Sequence, residues 1–340
     1  MKILIVTDAW HPQVNGVVRT IEATSAEMKR QGHEISLLTP QQFPCIPCPT
    51  YPEISLAWPF WQIFRYMEEI APQAIHIATE GPLGLGARRW CVARGIPFTT
   101  SFTTRFPEYL QSRFRISPEP LYGFFRWFHA PSAATMVSTK SLMEELRQRD
   151  FANLRFWSRG VDTELFSPSK RERLFPESPV FLYVGRVAVE KNLPAFLSLN
   201  LPGVKVVVGS GPDLERLRKK FPKVRFLGTL EGEKLARIYA SADVFVFPSK
   251  TDTFGMVILE ALASGLPVAA YPVTGPKDIL LSGETGILSE NLAEAALEAL
   301  FLDRKICRSF GERFSWQACT EEFLCNLALR KDTEKLCKTG

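Results

Sequence analysis

The sequence contains no hydrophobic run of the kind that crosses a membrane. Its longest apolar stretch, residues 254–273, is interrupted by Glu260, Pro267 and Pro272, which is typical of a buried helix followed by a buried strand. Only four strongly apolar residues follow Lys2, too few for the hydrophobic part of a secretory signal. We therefore expect neither a transmembrane helix nor a signal peptide.

The sequence also lacks a large excess of charge and a disulfide framework. Its 41 Lys and Arg residues against 36 Asp and Glu give a net charge of +5, which disfavours a nucleic-acid-binding protein. Seven cysteines are an odd number at low density, as in a reducing cytoplasm. Cys45 and Cys48 form the one tempting pair, but no second pair of His or Cys follows at zinc-site spacing. We therefore expect a cytoplasmic protein with unligated thiols.

With 340 residues, of which 46% are hydrophobic and 23% charged, the chain is long enough to bury two cores. Its first part contains short apolar runs without alternation, as in strands buried on both faces of a parallel sheet. The predicted strands are residues 3–6, 35–38, 74–77, 97–101 and 135–137. We assign them to a first doubly wound domain, residues 1–165.

A second series of the same kind follows a polar, proline-containing stretch at residues 167–179. Its predicted strands are residues 180–184, 204–208, 224–227, 244–247 and 268–270, and its predicted helices lie near residues 193–199, 213–220, 233–241 and 256–264. We assign residues 178–310 to this second domain and residues 311–340 to a helical tail. The sequence therefore predicts an α/β protein of two Rossmann-like doubly wound domains facing a cleft, where ligands bind beyond the carboxyl ends of the strands.

The loop and helix that follow the strand at residues 244–247 carry residues suited to binding a phosphorylated ligand. Helix N-terminal amides around Gly255 and Met256 suit a diphosphate, and Gly255 lets the backbone approach it closely. Asp252 precedes the helix and Glu260 lies about two turns along it, so both could border one elongated ligand, one at a sugar and the other at a ribose. The alternative is that Asp252 is an N-cap and Glu260 a solvated helix residue.

This stretch, which runs through Asp252, Thr253, Phe254 and Gly255 to Glu260, resembles the Glu-x7-Glu signature of retaining glycosyltransferases with the two-domain glycosyltransferase B fold. That family includes bacterial GDP-mannose-dependent mannosyltransferases, sulfoquinovosyldiacylglycerol synthases and glycolipid glucosyltransferases. An Asp replaces the first Glu here, as in the sulfoquinovosyl and mannosyl branches. The resemblance implies that the segment from Thr253 to Val257 binds the nucleotide-sugar donor.

The segment Gly185-Arg186 followed by Glu190-Lys191-Asn192 resembles the part of the family in which Arg and Lys hold the nucleotide diphosphate. Two cations at the end of a buried strand would neutralise the charge that grows on a departing diphosphate in the transition state. A surface salt bridge among Arg186, Glu190 and Lys191 is the alternative interpretation.

Two glycine-containing loops also resemble family segments near the donor. Gly16 lies in the first-strand loop, and Gly209 and Gly211 lie in a Gly-x-Gly-Pro turn, for which tight-turn geometry is an equal explanation. The first-strand loop is not a Gly-x-Gly-x-x-Gly fingerprint, which argues against a nicotinamide dehydrogenase. The sequence also lacks the Asp-x-Asp triplet with which the other main glycosyltransferase architecture binds a metal and diphosphate. We therefore expect no metal and no cofactor beyond the nucleotide-sugar substrate.

The first domain departs from the family at one position. Thr103 stands where the family usually has a His that contacts the sugar, and a hydroxyl can donate a hydrogen bond but carries no charge. Arg105, Tyr109 and His129 are candidates for the acceptor side, with a buried structural role as the alternative for His129. The retained Arg186, Lys191 and Glu260 argue against a catalytically inactive sugar-nucleotide-binding protein.

Two stretches rich in aromatic residues and arginine, residues 58–65 and 105–128, suit attachment to a membrane interface, with core packing as the alternative. The sequence therefore predicts a metal-independent, retaining hexosyltransferase of the cytoplasm, peripheral on the inner face of the membrane. We expect it to use a UDP-sugar and a membrane lipid acceptor such as diacylglycerol. The alternative is a GDP-mannose-dependent α-mannosyltransferase that acts on a lipid or polysaccharide precursor.

Overall fold

A computed structural model of the protein describes residues 1–12, 16–48, 51–103, 117–252 and 254–330, with the backbone alone for residues 48 and 51–54. The chain forms two compact units. The N-terminal unit comprises Met1–Ser158 and the chain from Cys319 onward, and the C-terminal unit comprises Arg159–Ala318.

Hydrogen bonds show why the boundaries fall where they do. Within the C-terminal unit, Val161 donates its backbone N–H to the Phe314 carbonyl over 2.7 Å. Within the N-terminal unit, Trp157 donates its indole N–H to the Cys319 carbonyl over 3.2 Å. The stretch predicted as a tail is therefore shared: residues 311–318 belong to the C-terminal unit, and the chain from Cys319 belongs to the N-terminal unit.

The N-terminal unit is built on a six-stranded parallel sheet and a separate hairpin. The strands are β1 (Lys2–Val6), β2 (Glu34–Leu38), β3 (Cys45–Cys48), β4 (Tyr51–Ala57), β5 (Ala74–Ile77), β6 (Thr99–Phe102), β7 (Ala134–Val137) and β8 (Leu154–Phe156). The helices are α1 (Gly16–Arg30), α2 (Ile63–Ile70), α3 (Pro82–Arg94), α4 (Pro118–His129) and α5 (Lys140–Gln148). The sheet order is β2-β1-β5-β6-β7-β8, and β3 pairs with β4 in antiparallel fashion.

The C-terminal unit repeats the architecture. Its strands are β9 (Val180–Val184), β10 (Val204–Val208), β11 (Arg225–Phe226), β12 (Val244–Phe247), β13 (Val268–Ala270) and β14 (Gly286–Leu288). Its helices are α6 (Leu193–Leu197), α7 (Leu214–Lys220), α8 (Gly232–Ser241), α9 (Met256–Ala263), α10 (Pro276–Ile279), α11 (Leu292–Glu298) and α12 (Arg304–Gly311), and α13 (Trp316–Asn326) follows them. The sheet order is β11-β10-β9-β12-β13-β14, all parallel.

The central strand of this sheet shows why its sequence is a continuous apolar run. Leu182 and Val184 pack into one core together with residues of α8 and α9, whereas Phe181 and Tyr183 pack into a second core with residues of α6, α7 and α11. Because successive side chains of a strand point to opposite faces, both faces must be apolar when helices cover both. The prediction of two Rossmann-like parallel-sheet units is confirmed.

The parallel strands place their carboxyl ends at one edge of each sheet. At that edge of the N-terminal unit, Asp8 follows β1, Glu80 follows β5 and Thr103 follows β6. At that edge of the C-terminal unit, Arg186 follows β9 and Asp252 follows β12. No helix in the described part of the chain is long and apolar enough to cross a membrane.

Candidate active site

The loops that follow β9 and β10 lie against each other, and glycine makes this approach sterically feasible. Gly209 has φ +134°, and a Cβ on it would lie 1.9 Å from the carbonyl oxygen of Gly185. Val187 donates its backbone N–H to Ser210, and Gly209 donates its own to Gly228. At Gly211 a Cβ would lie 2.4 Å from the Val187 carbonyl oxygen. These glycines therefore serve the contact between two loops as well as a tight turn.

The loop after β9 is also fastened to the loop after β12. The Lys191 ammonium forms an ion pair with the Asp252 carboxylate, and both side chains are mostly buried. Asn192 donates its side-chain N–H to the Pro248 carbonyl over 3.1 Å, and Thr251 donates its hydroxyl to the Glu190 carbonyl over 3.2 Å. The structure thus gives Lys191 the partner Asp252, where the surface-salt-bridge alternative had Arg186 and Glu190.

Arg186 lies on the same loop and is exposed. Its backbone carbonyl accepts a hydrogen bond of 2.9 Å from the hydroxyl of Tyr183. Burial raises the pKa of Tyr183 well above its ordinary value, and the carboxylates of Asp252 and Glu190 add to the rise. Tyr183 is therefore protonated at neutral pH, and its hydrogen bond holds the backbone that carries the Arg186 guanidinium.

The first backbone amides of helix α9 are not capped by a side chain, because a glycine precedes them. Gly255 is the N-cap, with φ +92° and no side chain to bind the first amides of the helix, so Asp252 is not the N-cap that the alternative interpretation proposed. One oxygen of Asp252, Oδ2, is buried without a hydrogen-bond partner among the described residues. Phe254 is buried and Met256 and Val257 are partly buried, whereas Thr253 lies outside the described residues.

Glu260 lies on the buried side of helix α9. Its side chain is only 6% exposed, and the hydroxyl of Tyr239 on α8 donates a hydrogen bond of 2.8 Å to Oε2. A buried carboxylate needs such partners because its desolvation is costly. The solvated interpretation of Glu260 is therefore wrong, and Tyr239 is a neighbour that the sequence did not indicate.

At the carboxyl edge of the N-terminal sheet the central residue is Asp8, which the sequence analysis missed. Its buried carboxylate accepts hydrogen bonds from the backbone N–H groups of Leu83 (2.8 Å) and Gly84 (3.2 Å) at the start of α3, and from the hydroxyl of Thr79 (2.8 Å). Burial raises the pKa of Asp8 to about 6, against the lowering effect of these hydrogen bonds, and Glu80 adds to the rise. The position of Asp8 directly after the buried strand β1 is the signal that could have identified it.

Of the three acceptor-side candidates, the described residues include only His129. His129 is 2% exposed, with Nε2 3.2 Å from Oε1 of the buried Glu80 and Nδ1 2.9 Å from the hydroxyl of Thr100. The imidazole also packs on the ring of Phe102, so His129 has the contacts of a core residue. Arg105 and Tyr109 lie outside the described residues.

Two further residues of the predicted site, Thr103 and Gly16, lie at the carboxyl edge of the N-terminal sheet. Thr103 is partly buried directly after β6, and Gly16 begins α1 and is exposed. Within the described ranges, no three His, Cys, Asp or Glu side chains come together in a way that could hold a metal ion.

Each half of the chain matches a family model. Residues 14–165 match Glycosyltransferase Family 4, and residues 178–302 match Glycosyl transferases group 1. A GDP-mannose-dependent alpha-mannosyltransferase of Mycobacterium tuberculosis is 30% identical over 315 residues, which cover 85% of this chain and 83% of that protein. An alpha-monoglucosyldiacylglycerol synthase of Streptococcus pneumoniae is 25% identical over 350 residues, which cover 88% of this chain and 78% of that protein.

The fold is shared with solved glycosyltransferase structures. Sucrose-phosphate synthase from Thermosynechococcus elongatus superposes with a TM-score of 0.75 at 20% identity and covers 99% of each chain. Because family models match both halves and a relative is 30% identical over most of both chains, the chain belongs to this family of glycosyltransferases and is a hexosyltransferase with the glycosyltransferase B fold.

Proposed function

We propose that the protein transfers a hexose from a nucleotide diphosphate sugar, a UDP-sugar by preference, to a membrane lipid such as diacylglycerol, with retention at the anomeric carbon. The observation that carries the proposal is the ion pair of Lys191 with Asp252, which joins the loop after β9, where the exposed Arg186 also lies, to the loop that leads into α9. The lipid acceptor is supported by the similarity to a protein named as an alpha-monoglucosyldiacylglycerol synthase.

In this proposal the donor diphosphate lies against Lys191, Arg186 and the first amides of α9. The two cations neutralise the charge that accumulates on the leaving diphosphate as its bond to the sugar breaks. The helix N-terminus adds a positive dipole end, and Gly255 leaves it open to the phosphate. Asp252 takes a hydroxyl of the sugar and Glu260 the ribose.

The transfer itself needs no protein nucleophile. The bond between the anomeric carbon and the phosphate oxygen breaks while the acceptor hydroxyl attacks the same face, and the hydroxyl proton passes to the leaving diphosphate. The protein contributes orientation and charge stabilisation, so no metal and no cofactor takes part.

A second donor has specific support. The relative that matches over 83% of its own length is named as a GDP-mannose-dependent alpha-mannosyltransferase. The second candidate function is therefore an α-mannosyltransferase that uses GDP-mannose with a lipid or polysaccharide precursor.

The test is a transfer assay with radiolabelled UDP-hexoses and GDP-mannose on detergent-dispersed lipids. We expect labelled glycolipid from a UDP-hexose and diacylglycerol, and we expect Lys191→Ala and Glu260→Ala each to lower the rate by about 10²-fold or more while the fold is kept. Lys250→Ala is the matched control, because Lys250 lies two residues before Asp252 and pairs with Glu290 over 3.6 Å. Near-wild-type rates in both site variants would overturn the site, and labelled product from GDP-mannose alone would select the second candidate.

A further inference from the structure

The C-terminal unit contains two stretches of opposite charge. Residues 214–225 contain six Lys and Arg against one Glu, whereas residues 278–303 contain six Asp and Glu and no Lys or Arg. The first stretch includes helix α7 and the second includes helix α11. The net charge of the chain, only +5, therefore does not reveal a separation of charge within one unit.

Both helices cover the same face of the C-terminal sheet. Leu217 of α7 and Leu292 of α11 are buried in one core, together with Phe196 of α6. Helix α7 leads into β11, the first strand in the sheet order, whereas α11 packs on β13 and β14 at the other end and against α6. The three helices therefore form one layer, with α7 at one end, α6 in the middle and α11 at the other end.

The outward side of α7 is basic. Lys219 lies about 200° around the helix from Leu217, which is buried in the core, so Lys219 points away from the sheet. Lys219, Lys220 and Lys223 are exposed, and none of them forms an ion pair with a residue that the structure describes. This end of the layer therefore presents three positive charges to the solvent.

The outward side of α11 is acidic and apolar. Four exposed residues recur at the spacing of one helical stripe and continue just past the helix: Glu294, Leu297, Glu298 and Phe301. Neither glutamate forms an ion pair within the described ranges of the chain. Phe301 is 89% exposed, more than any other large hydrophobic residue among those described. This end of the layer therefore offers two carboxylates and an apolar contact area.

A face that is basic at one end and acidic at the other is complementary to a second copy of itself. In a two-fold symmetric pair, α7 of each copy meets α11 of the other copy, and α6 lies near the axis. A foreign acidic protein would meet the acidic end as well as the basic end, and facing like charges disfavour such a partner. We propose that two copies of the chain pair through the layer of α6, α7 and α11, which we call the charged layer.

The experiment is sedimentation velocity of the full chain over a range of protein and salt concentrations. We expect a reversible monomer–dimer equilibrium with a micromolar Kd that salt weakens, because the layer is small and its charges are exposed. Lys219→Glu with Lys220→Glu reverses the basic end and should raise the Kd by more than ~10-fold, since each altered contact occurs twice. Glu294→Lys with Glu298→Lys reverses the acidic end and should have the same effect.

Exchange of the charges tests the pairing itself. The chain with all four substitutions should dimerise again, because its basic and acidic ends have only changed places. An equimolar mixture of the two double variants should form a mixed dimer, since every facing contact then joins opposite charges. The matched control is Lys234→Glu with Arg237→Glu, which should keep the wild-type Kd. Both residues are exposed on α8, which covers the opposite face of the same sheet.

The result is independent of the proposed function, because sedimentation needs neither donor nor acceptor. A wild-type chain that is monomeric at every concentration would overturn the proposal. So would four substitutions that restore no dimer although the melting temperature equals that of the wild type. Assemblies that grow beyond two copies would contradict the two-fold arrangement. A monomer that binds immobilised polyglutamate, and loses this binding with the lysine substitutions, would assign the basic end to a different acidic partner.

Discussion

Asp8 is the residue whose ionisation should be visible in the stability of the protein. Its pKa is about 6 in the folded chain against 3.8 when unperturbed, so the folded state binds the more protons between these values. The contribution of Asp8 to the free energy of unfolding should therefore be largest below about pH 4, fall as the pH rises towards 6, and change little above that. The shift corresponds to roughly 3 kcal/mol, and urea titrations across this pH range measure it.

The comparison that isolates this effect uses Asp8→Asn, in which the position no longer titrates. The difference between wild type and Asp8→Asn should change with pH between 4 and 6, whereas Asp150→Asn, at a side chain 89% exposed, should follow the wild type. Parallel stability curves for wild type and Asp8→Asn would contradict the raised pKa.

At the level of residues, the sequence predicted local features of the site and missed the tertiary partners. The positions of Arg186, Lys191 and Glu260 followed from a motif, and the structure adds that Asp252 pairs with Lys191 and that Tyr239 holds Glu260. Such partners could not be predicted, because Tyr239 lies on a different helix and no local pattern records which helices pack together.

At the carboxyl edge of the C-terminal sheet, the loops after β9 and β10 pack closely against each other. Gly209→Ala would place a Cβ 1.9 Å from the Gly185 carbonyl oxygen at a φ of +134°, so the loops after β9 and β10 must separate. We expect a loss of more than ~2 kcal/mol in the free energy of unfolding and a raised KM for the donor. Urea unfolding and transfer kinetics measure the two effects.

Gly232→Ala provides the control for backbone strain alone. Gly232 also has a positive φ, +53°, but a Cβ there meets nothing within 4 Å. Its replacement should cost about 1 kcal/mol and leave the KM unchanged. Equal costs for Gly209→Ala and Gly232→Ala would mean that the contact between the loops contributes nothing.

The sequence predicted the bounds of strands correctly where a strand is buried on both faces. The strands Val180–Val184, Val204–Val208 and Val244–Phe247 match the predicted ranges, since an apolar run of that length has one favourable location in a parallel sheet. The strand Leu154–Phe156 was missed because Arg155 interrupts it and only its first residue is buried. The hairpin Cys45–Cys48 with Tyr51–Ala57 was missed because prolines at 47 and 52 disfavour strands.

At the scale of the whole molecule, the N-terminal unit is built from two segments of the chain that are far apart in the sequence. The sequence predicted a single passage from the first domain to the second and then a tail. The structure shows a return to the N-terminal unit at Cys319, where Glu322 accepts the backbone N–H of Ser158 over 2.8 Å. A contact between residues more than 160 positions apart leaves no periodicity in the sequence, so composition could not indicate it.

Nucleotide binding is a property that the melting temperature of the whole chain reports. A ligand that binds only the folded state stabilises it by about 2.7 kcal/mol at a hundredfold excess over Kd, enough for a shift of several degrees. We expect UDP to raise the melting temperature more than GDP, ADP or NAD. The shift should disappear in Lys191→Ala and persist in Lys250→Ala, because the first lysine lies at the predicted diphosphate and the second pairs with Glu290. A larger shift with GDP would assign the donor to the mannosyl branch, whereas a shift with NAD that is indifferent to Lys191 would contradict the donor site in the C-terminal unit.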